Sequence, residues 1–185
     1  MGYTSIVNLV DNMESGGRIM FNVGDMIIYS THGLCEINDI CEKKIGNMTR
    51  TYYVMNPIED TKLTISIPKE IGEKNMQRIM EKSEAEKLLQ SFQNTGIPWI
   101  EDARERNKKY SNLVKTGERK DISRIVNTLM RKESELRKNK KKMSEQDRKL
   151  LDSIQQILFQ EMAISMDIPL EDISEEVDSI IKQTG

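Results

Sequence analysis

Residues 21–40, FNVGDMIIYSTHGLCEINDI, contain the pattern that decides the fold of the N-terminal part of the chain. Hydrophobic, β-branched and aromatic residues alternate with polar ones, which is typical of strands with one buried face. Turn signals such as His32-Gly33 separate the alternating runs. The same alternation continues to Pro68, and the pattern predicts four strands: 26–29, 35–40, 51–55 and 63–67. Four short strands within residues 21–68 predict a small, strongly bent, barrel-like sheet.

Beyond Pro68 the spacing of hydrophobic residues becomes three to four, which predicts helices. Capping residues, prolines and glycines mark the expected helix ends. The pattern predicts five helices: 83–92 opened by the capping box Ser83-x-x-Glu86, 99–116 with Pro98 as its first-turn proline, and others from Asp121, from Ser144 and from Pro169. The predicted fold class is therefore α+β, with a small β-barrel domain followed by an all-helical domain.

We expect segment boundaries at 1–19, 20–72 and 73–185. The first segment, MGYTSIVNLVDNMESGGRI, has no clean periodicity. Gly-Gly-Arg-Ile before Met20 can be encoded by a purine-rich sequence like those that bacterial ribosomes bind ahead of a start codon. One interpretation is therefore a native start at Met20, with 1–19 outside the native chain. A mobile N-terminal tail is an equally good interpretation.

Composition excludes several classes of protein. A hydrophobic fraction of 37% in 185 residues is enough for a core, while no apolar run approaches the roughly 18–20 residues of a membrane span. One histidine and two cysteines leave too few ligands for a zinc site or a disulfide framework. The chain has no phosphate-binding glycine motif and no catalytic triad. We expect a cytoplasmic, non-enzymatic protein without catalytic residues, metal, cofactor or small-molecule substrate.

The formal net charge of −2 combines three segments of different charge. Residues 1–98 contain 10 basic and 13 acidic side chains, residues 99–150 contain 17 and 9, and residues 151–185 contain 1 and 8. The local net charges are therefore −3, +8 and −7. A local excess of +8 favours binding to nucleic-acid phosphates, although most charge runs are only solvated helix faces.

The basic segment begins at Trp99, the only tryptophan of the chain. A large aromatic residue beside a basic face can wedge between the base steps of DNA, while simple packing in the helical core is an equally good interpretation. Around it we take eight basic side chains as candidate contacts to DNA: Arg104, Arg106, Lys108, Lys109, Lys115, Lys120, Arg148 and Lys149. The run Lys138–Lys142 is expected to be a mobile loop that touches phosphate without reading sequence.

These features resemble the CarD/CdnL family of bacterial RNA polymerase-binding transcription regulators. The specific part of the resemblance is Phe21-x-Val23-Gly24-Asp25-x-Ile27-Ile28-Tyr29-x-x-His32-Gly33, followed by Tyr52-Tyr53-Val54-Met55 and by Leu63-Thr64-Ile65-Ser66-Ile67-Pro68. A looser C-terminal match includes Trp99, Tyr110, Gly117 and the hydrophobic runs at 122–129 and 150–158. This second match separates a CarD-type protein from the longer transcription-repair coupling factor, which shares the N-terminal module.

The resemblance implies a Tudor-like N-terminal module that docks on the β subunit of RNA polymerase, with Lys43, Ile65 and Ser66 at the contact. It also implies a helical domain that meets promoter DNA at the upstream edge of the transcription bubble. Trp99 would wedge into the minor groove there and help to keep the open complex from collapsing. Minor-groove and phosphate contacts read little sequence, so the DNA binding would be nearly non-specific. The protein would then be cytoplasmic and associated with the nucleoid.

Three features depart from the family pattern, and one of them is that Glu101, Asp102 and Glu105 dilute the basic residues usually found just after the tryptophan. The spacing from Trp99 to Gly117 is longer by about one helical turn, which would shift Trp99 along its helix. Ser66 stands where the family has a basic residue, whereas Lys43 and Arg148 match basic positions. The alternative function is a protein–protein adaptor, in which the β module binds a partner and the helices never touch DNA.

Overall fold

The computed structural model describes residues 20–29 and 32–184, so the prediction for residues 1–19 lies outside the described part of the chain. Its N-terminal part is an antiparallel sheet with the strand order β4-β3-β2-β1-β5. A short helix lies between the last two strands along the chain. The elements are β1 (Met26–Tyr29), β2 (Gly33–Ile45), β3 (Met48–Pro57), β4 (Ile65–Pro68), α1 (Lys69–Asn75) and β5 (Met76–Arg78).

The four predicted strands are present, but β2 and β3 extend well beyond the alternating pattern. They pair with each other from Cys35 opposite Pro57 to Ile45 opposite Met48, so ladder hydrogen bonds keep polar residues extended as well. The register shifts between Ile37 and Asp39, where a β-bulge interrupts the alternation. The sequence did not predict β5, because its three residues have no pattern of their own and are extended through pairing with β1.

The predicted barrel-like form of the sheet is not confirmed, because the sheet is not closed in the described residues. Its edges are β4 and β5, and within residues 20–29 and 32–184 no ladder joins these two strands. The helix α1, which connects them, packs against β3 and β4. The core of this part comprises Phe21, Ile27, Cys35, Ile37, Tyr53, Met55, Ile67 and Met76.

Five longer helices follow, and their hydrophobic faces enclose a second core. They are α2 (Lys82–Ser91), α3 (Ala103–Lys115), α4 (Arg119–Lys138), α5 (Glu145–Met166) and α6 (Leu170–Thr184). The large, fully buried side chains of this core include Phe92, Tyr110, Ile125, Leu129, Leu151, Phe159 and Met162. The α+β class and the order of sheet before helices are therefore confirmed.

The helix starts agree with the sequence only in part. Ser144 caps α5 as predicted, because its side-chain oxygen accepts a hydrogen bond from the Asp147 amide at 3.1 Å. Ser83 caps nothing, since α2 begins one residue earlier. The predicted helix start at Trp99 is wrong: Asp102 caps α3, with its carboxylate accepting from the Glu105 amide at 2.8 Å. Trp99 therefore precedes the helix instead of lying in it.

The chain divides into two compact units after Arg78, and β5 belongs to the first of them because it pairs with β1. We call residues 20–78 the sheet unit and residues 79–184 the helical unit. No helix in the described ranges is long and apolar enough to cross a membrane. Those ranges also contain no group of three or more His, Cys, Asp or Glu residues arranged to hold a metal ion.

Candidate functional site

Trp99 lies in an irregular segment, residues 92–102, that connects α2 to α3. We call these residues the Trp99 segment. The indole is half-buried and packs against the core of the helical unit. Pro98, directly before it, is exposed. The tryptophan therefore contacts the core and also reaches the surface, which combines features of both sequence interpretations.

Side chains of α3 and α4 hold the backbone of the Trp99 segment in place. Its carbonyl oxygens accept hydrogen bonds from these side chains. The Asn127 amide donates to the carbonyl oxygens of Phe92 (3.3 Å) and Asn94 (2.8 Å). The Thr128 hydroxyl donates to the carbonyl oxygen of Ile97 (2.7 Å), and the Tyr110 hydroxyl donates to that of Pro98 (3.2 Å). These hydrogen bonds restrict the backbone segment that carries the indole.

Gly96 brings the Trp99 segment into direct contact with α4. A Cβ at this position would overlap the Thr128 hydroxyl and the Arg124 carbonyl oxygen, and would lie 2.8 Å from the Thr128 amide nitrogen. Two of these obstacles are backbone atoms, which cannot move aside as a side chain can. Only glycine therefore permits this close approach.

Arg106 is buried, although the sequence predicted it as a surface contact to DNA. Its guanidinium binds both carboxylate oxygens of Asp147, at 2.9 and 2.6 Å, and the two side chains are only 5% and 4% exposed. It also donates to the carbonyl oxygens of Ile100 and Glu101. The guanidinium carbon lies 4.0 Å from the centre of the Trp99 ring. Arg106 therefore supports the tryptophan from inside, and we remove it from the set of DNA contacts.

The ion pair determines the charge state of both partners. Burial by itself would raise the pKa of Asp147, but hydrogen bonds from Arg106 and Ser144 and the positive charge of Arg106 lower it overall. The same pair raises the pKa of Arg106, mainly through its hydrogen bond to Asp147.

The spacing of Arg106, Tyr110 and Leu113, by four and then three residues, places Arg106 on the inner helix face. That spacing is the sequence signal that could have predicted its burial.

Lys132 of α4 is a site residue that the candidate set did not include. Its ammonium lies 5.2 Å from the centre of the Trp99 ring, so two cations contact the same indole. Lys132 also pairs with Glu135 at 2.9 Å. The sequence gives no signal for this contact, since 33 positions separate Lys132 from Trp99 and only the tertiary packing brings them together.

Five of the predicted DNA contacts are exposed, and no ion pair involves them in the part of the chain that the structure describes. Three of them, Arg104, Lys108 and Lys115, fall within about 40° on the outer face of α3, opposite the buried Tyr110. Because no carboxylate neutralises these charges, they can attract phosphate. Four of them lie on α3, and we call these the α3 cations: Arg104, Lys108, Lys109 and Lys115; the fifth, Lys120, lies in the first turn of α4.

The other two predicted contacts, Arg148 and Lys149 on α5, have acidic partners. Arg148 pairs closely with Glu133 of α4 and more loosely, at 3.8 Å, with Asp152. Lys149 pairs with Glu145 at 2.7 Å, although its side chain is 75% exposed. Such exposed pairs contribute little to stability and break easily, but each lowers the local positive charge.

In the sheet unit, the structure brings the predicted polymerase contacts together. Lys43 of β2 extends across β3, with its ammonium 5.5 Å from the centre of the Tyr52 ring, and donates a hydrogen bond to the Ser66 hydroxyl on β4 at 2.9 Å. Ile65 is the neighbour of Ser66 on the same strand and is half-buried. Since β4 is an edge strand, this group lies at a border of the sheet where another chain can add a strand.

His32 stacks on Tyr29, with ring centres 5.7 Å apart and an angle of 6° between the ring planes. Cys35 is buried in the core of the sheet unit, and that burial raises the pKa of its thiol to about 11. A thiol with so high a pKa is a poor nucleophile at neutral pH. Within the described residues, His32 therefore contacts an aromatic ring and Cys35 packs in the core.

Comparisons with known proteins agree with the geometry of both units. The model of the "CarD-like/TRCF RID domain" matches residues 21–80, and that of the "CarD, C-terminal domain" matches residues 87–178. A protein of Bacillus subtilis (strain 168), named "Putative transcription factor YdeB", is 27% identical over 150 residues. That alignment covers 78% of this chain and 92% of the relative.

Proposed function

The chain belongs to the CarD-like family of transcription regulators, and from that membership we propose that it stabilises the open promoter complex at the start of transcription. In this proposal, the sheet unit is a Tudor-like module that docks on the β subunit of RNA polymerase. The helical unit contacts promoter DNA at the upstream edge of the bubble. The protein acts in the cytoplasm, on nucleoid DNA, as a regulator and not as an enzyme.

The observation that carries the DNA part is the setting of Trp99. The indole reaches the surface from a fixed backbone segment and lies next to the helix that bears the α3 cations. An apolar wedge that inserts between base steps must resist the force that restacks them, so a rigid support is needed. Unpaired cations nearby can hold the phosphates on either side of the opened step.

The edge strand β4 supports the polymerase part. Its free edge can pair with a strand of a partner, and main-chain hydrogen bonds of this kind supply affinity with little demand on side chains. Lys43, anchored to Ser66 at 2.9 Å, adds a positive charge beside that edge. The basic residue that the family has at position 66 is absent, so Lys43 supplies the charge by reaching across β3.

Open-complex stabilisation requires a difference in affinity. The protein shifts the equilibrium between closed and open promoters only if it binds the open form more tightly. A wedge meets this requirement, because unstacked base steps at the bubble edge accept the indole while an intact duplex must first be opened at a cost of a few kcal/mol. Contacts to phosphates alone do not distinguish the two forms.

Substitution of Trp99 by alanine tests the proposal. We expect the lifetime of the open complex to shorten by about tenfold, since stacking of a base on an aromatic side chain is worth about 1–3 kcal/mol. Competitor-challenged dissociation of promoter complexes measures this lifetime. Binding to RNA polymerase should be unchanged, and Trp99→Phe should recover part of the lifetime.

An unchanged lifetime with Trp99→Ala would refute the wedge.

The complementary variant Lys43→Glu should weaken binding to RNA polymerase first, with no effect on binding to free DNA. The adaptor alternative has a different signature: polymerase binding persists, while binding to fork-junction DNA is absent or independent of salt.

A further inference from the structure

The loop between α4 and α5 carries a second group of exposed charges. Four of the five residues 138–142 are lysines, all of them exposed, and we call this segment the lysine loop. The surrounding basic residues have acidic partners: Arg137 and Arg148 pair with Glu133, and Lys149 pairs with Glu145. The four lysines have no ion pair with any residue of the described ranges. The nearby carboxylates of Glu133 and Glu145 therefore pair with basic residues of the helices, and the positive charges of the loop are not neutralised by them.

The backbone of the lysine loop begins with a defined turn. Lys140 adopts a left-handed conformation with φ of 54°, and the Lys141 amide donates to the Leu136 carbonyl at 2.8 Å. This closure is the Schellman type of helix ending, usually made with glycine. The lysine side chains therefore project from a fixed turn, although a non-glycine residue at this φ costs stability.

Both helices that flank the lysine loop are connected to the surroundings of Trp99. On the α4 side, Lys132 contacts the indole at 5.2 Å, and Lys138 follows about 9 Å further along the helix. On the α5 side, Ser144 donates to Asp147, which is bound to Arg106 against the same ring. Lys142 precedes Ser144 by two residues, at most about 7 Å of chain. From these chain lengths we estimate that the loop charges lie roughly 10–15 Å from the indole of Trp99.

From this arrangement we propose that the lysine loop is a second phosphate-binding element, separate from α3, which holds the duplex roughly three to four base steps from Trp99. The spacing follows from the phosphate repeat of about 3.4 Å along each strand. The proposal rests on the proposed DNA contact and deepens it. The α3 cations lie on α3 and the lysine loop lies at the end of α4, two helices that each contact Trp99 through another residue, Arg106 and Lys132, so the duplex is held at two points.

The test compares two variants with the same total charge. The loop variant replaces Lys138, Lys140, Lys141 and Lys142 by glutamine. The control variant replaces four exposed lysines on other elements or loops: Lys62, Lys74, Lys82 and Lys87. Fluorescence anisotropy measures the affinity of each protein for fork-junction DNA with a duplex arm over a series of salt concentrations. Far-ultraviolet circular dichroism verifies that each variant is folded.

We expect the loop variant to lose about 2 to 3.5 units from the slope of log affinity against log salt, since each lost phosphate contact removes about 0.9. The control variant should keep the slope of the native sequence within about half a unit. Equal slopes for the two variants would overturn the loop proposal. If the native sequence itself lacks salt-dependent DNA binding, the proposed function fails; if it binds and the loop variant keeps its slope, only the loop assignment fails.

Discussion

At the scale of single residues, Arg106 combines contacts that a surface cation does not make. It binds Asp147 through two hydrogen bonds, donates to two carbonyl oxygens of the Trp99 segment, and has its guanidinium carbon 4.0 Å from the centre of the indole ring. A buried ion pair usually contributes little net stability, because desolvation of two charges offsets their attraction. Its effect here is geometric: the planar guanidinium allows the carboxylate, the backbone and the ring only one mutual arrangement.

Substitution of Asp147 by asparagine should therefore release Trp99 as well as weaken the fold. We expect the helical unit to lose about 3 kcal/mol at neutral pH, because Arg106 is left buried without a counter-charge. The emission of Trp99 should shift to longer wavelength as the indole becomes more exposed. Urea titration followed by fluorescence measures both effects, since the chain has one tryptophan.

The stability lost in Asp147→Asn should also depend on pH. Since the folded-state pKa of Asp147 is depressed, its stabilising contribution is present above the unfolded-state value, near 3.8, and is lost as the pH falls through the folded-state pKa. The stability difference between the native sequence and Asp147→Asn should accordingly shrink below about pH 4. A difference that stays constant to lower pH would contradict the assignment.

Glu161→Gln is the matched control for Asp147→Asn. Glu161 is also buried and pairs with an arginine, Arg119, at 2.7 Å. It accepts a hydrogen bond from the Met80 amide, at the start of the helical unit and away from the Trp99 segment. This variant should lower stability without moving the Trp99 emission in the folded state. A similar emission shift in both variants would mean that Trp99 reports general loosening of the unit.

At the scale of elements, the Trp99 segment is an irregular connection made rigid by its contact with α4. Gly96→Ala tests this contact, because the added Cβ would overlap backbone atoms of Arg124 and Thr128. We expect a loss of about 2–3 kcal/mol in the helical unit, typical of overpacking, together with a shift in the Trp99 emission. Chemical denaturation and steady-state fluorescence measure the two effects.

Gly46→Ala provides the comparison for Gly96→Ala. Gly46 lies in the β2–β3 turn with φ of 63°, and a Cβ there would meet no atom within 4 Å. This change should cost about 1 kcal/mol through backbone strain and leave the Trp99 emission unchanged. If Gly96→Ala also left the emission unchanged, the segment would not be fixed by its contact with α4.

The elements show which features a sequence pattern can predict. Alternation and helical spacing predicted every long element, because burial of one face imposes a period on the residues. The sequence did not predict the start of α3 correctly. Pro98 is compatible with the first turn of a helix, but the carbonyl oxygens of Ile97 and Pro98 accept hydrogen bonds from Thr128 and Tyr110 instead of taking part in a helix. The short β5 was missed because only its pairing with β1 extends it. In both cases the deciding partners are distant in sequence.

The candidate site was predictable to a similar extent. Exposed cations on one helix face follow from spacing alone, and the α3 cations are exposed as the sequence indicated. Spacing alone does not predict which of these charges are neutralised, because the acidic partners lie on other helices. Arg148 pairs with Glu133 of α4, and Arg106 pairs with Asp147 of α5. Charge counts therefore indicate a basic region, while tertiary packing selects the residues that remain available to phosphate.

At the scale of the whole molecule, the separation of charge along the sequence persists within the helical unit. The basic α3, α4 and lysine loop belong to the same unit as α6, which carries five acidic residues and one lysine. The end of α6 is tied to α4 by a hydrogen bond of 2.6 Å from Arg131 to the Thr184 hydroxyl. If the proposed DNA contact forms, a duplex that approaches the cations should also be repelled by the acidic α6, and we expect this repulsion to limit non-specific binding.

Neutralisation of α6 should consequently tighten DNA binding. We expect Glu171, Glu175 and Glu176, all changed to glutamine, to raise the affinity for duplex DNA about two- to threefold at roughly 0.05 M salt. The gain should vanish near 0.3 M, because repulsion over more than about 10 Å is screened at high ionic strength. The matched control changes the exposed Glu36, Glu42 and Glu70 of the sheet unit, and fluorescence anisotropy of labelled DNA measures both. Equal gains in the two variants would mean that total charge, and not its position on α6, sets the repulsion.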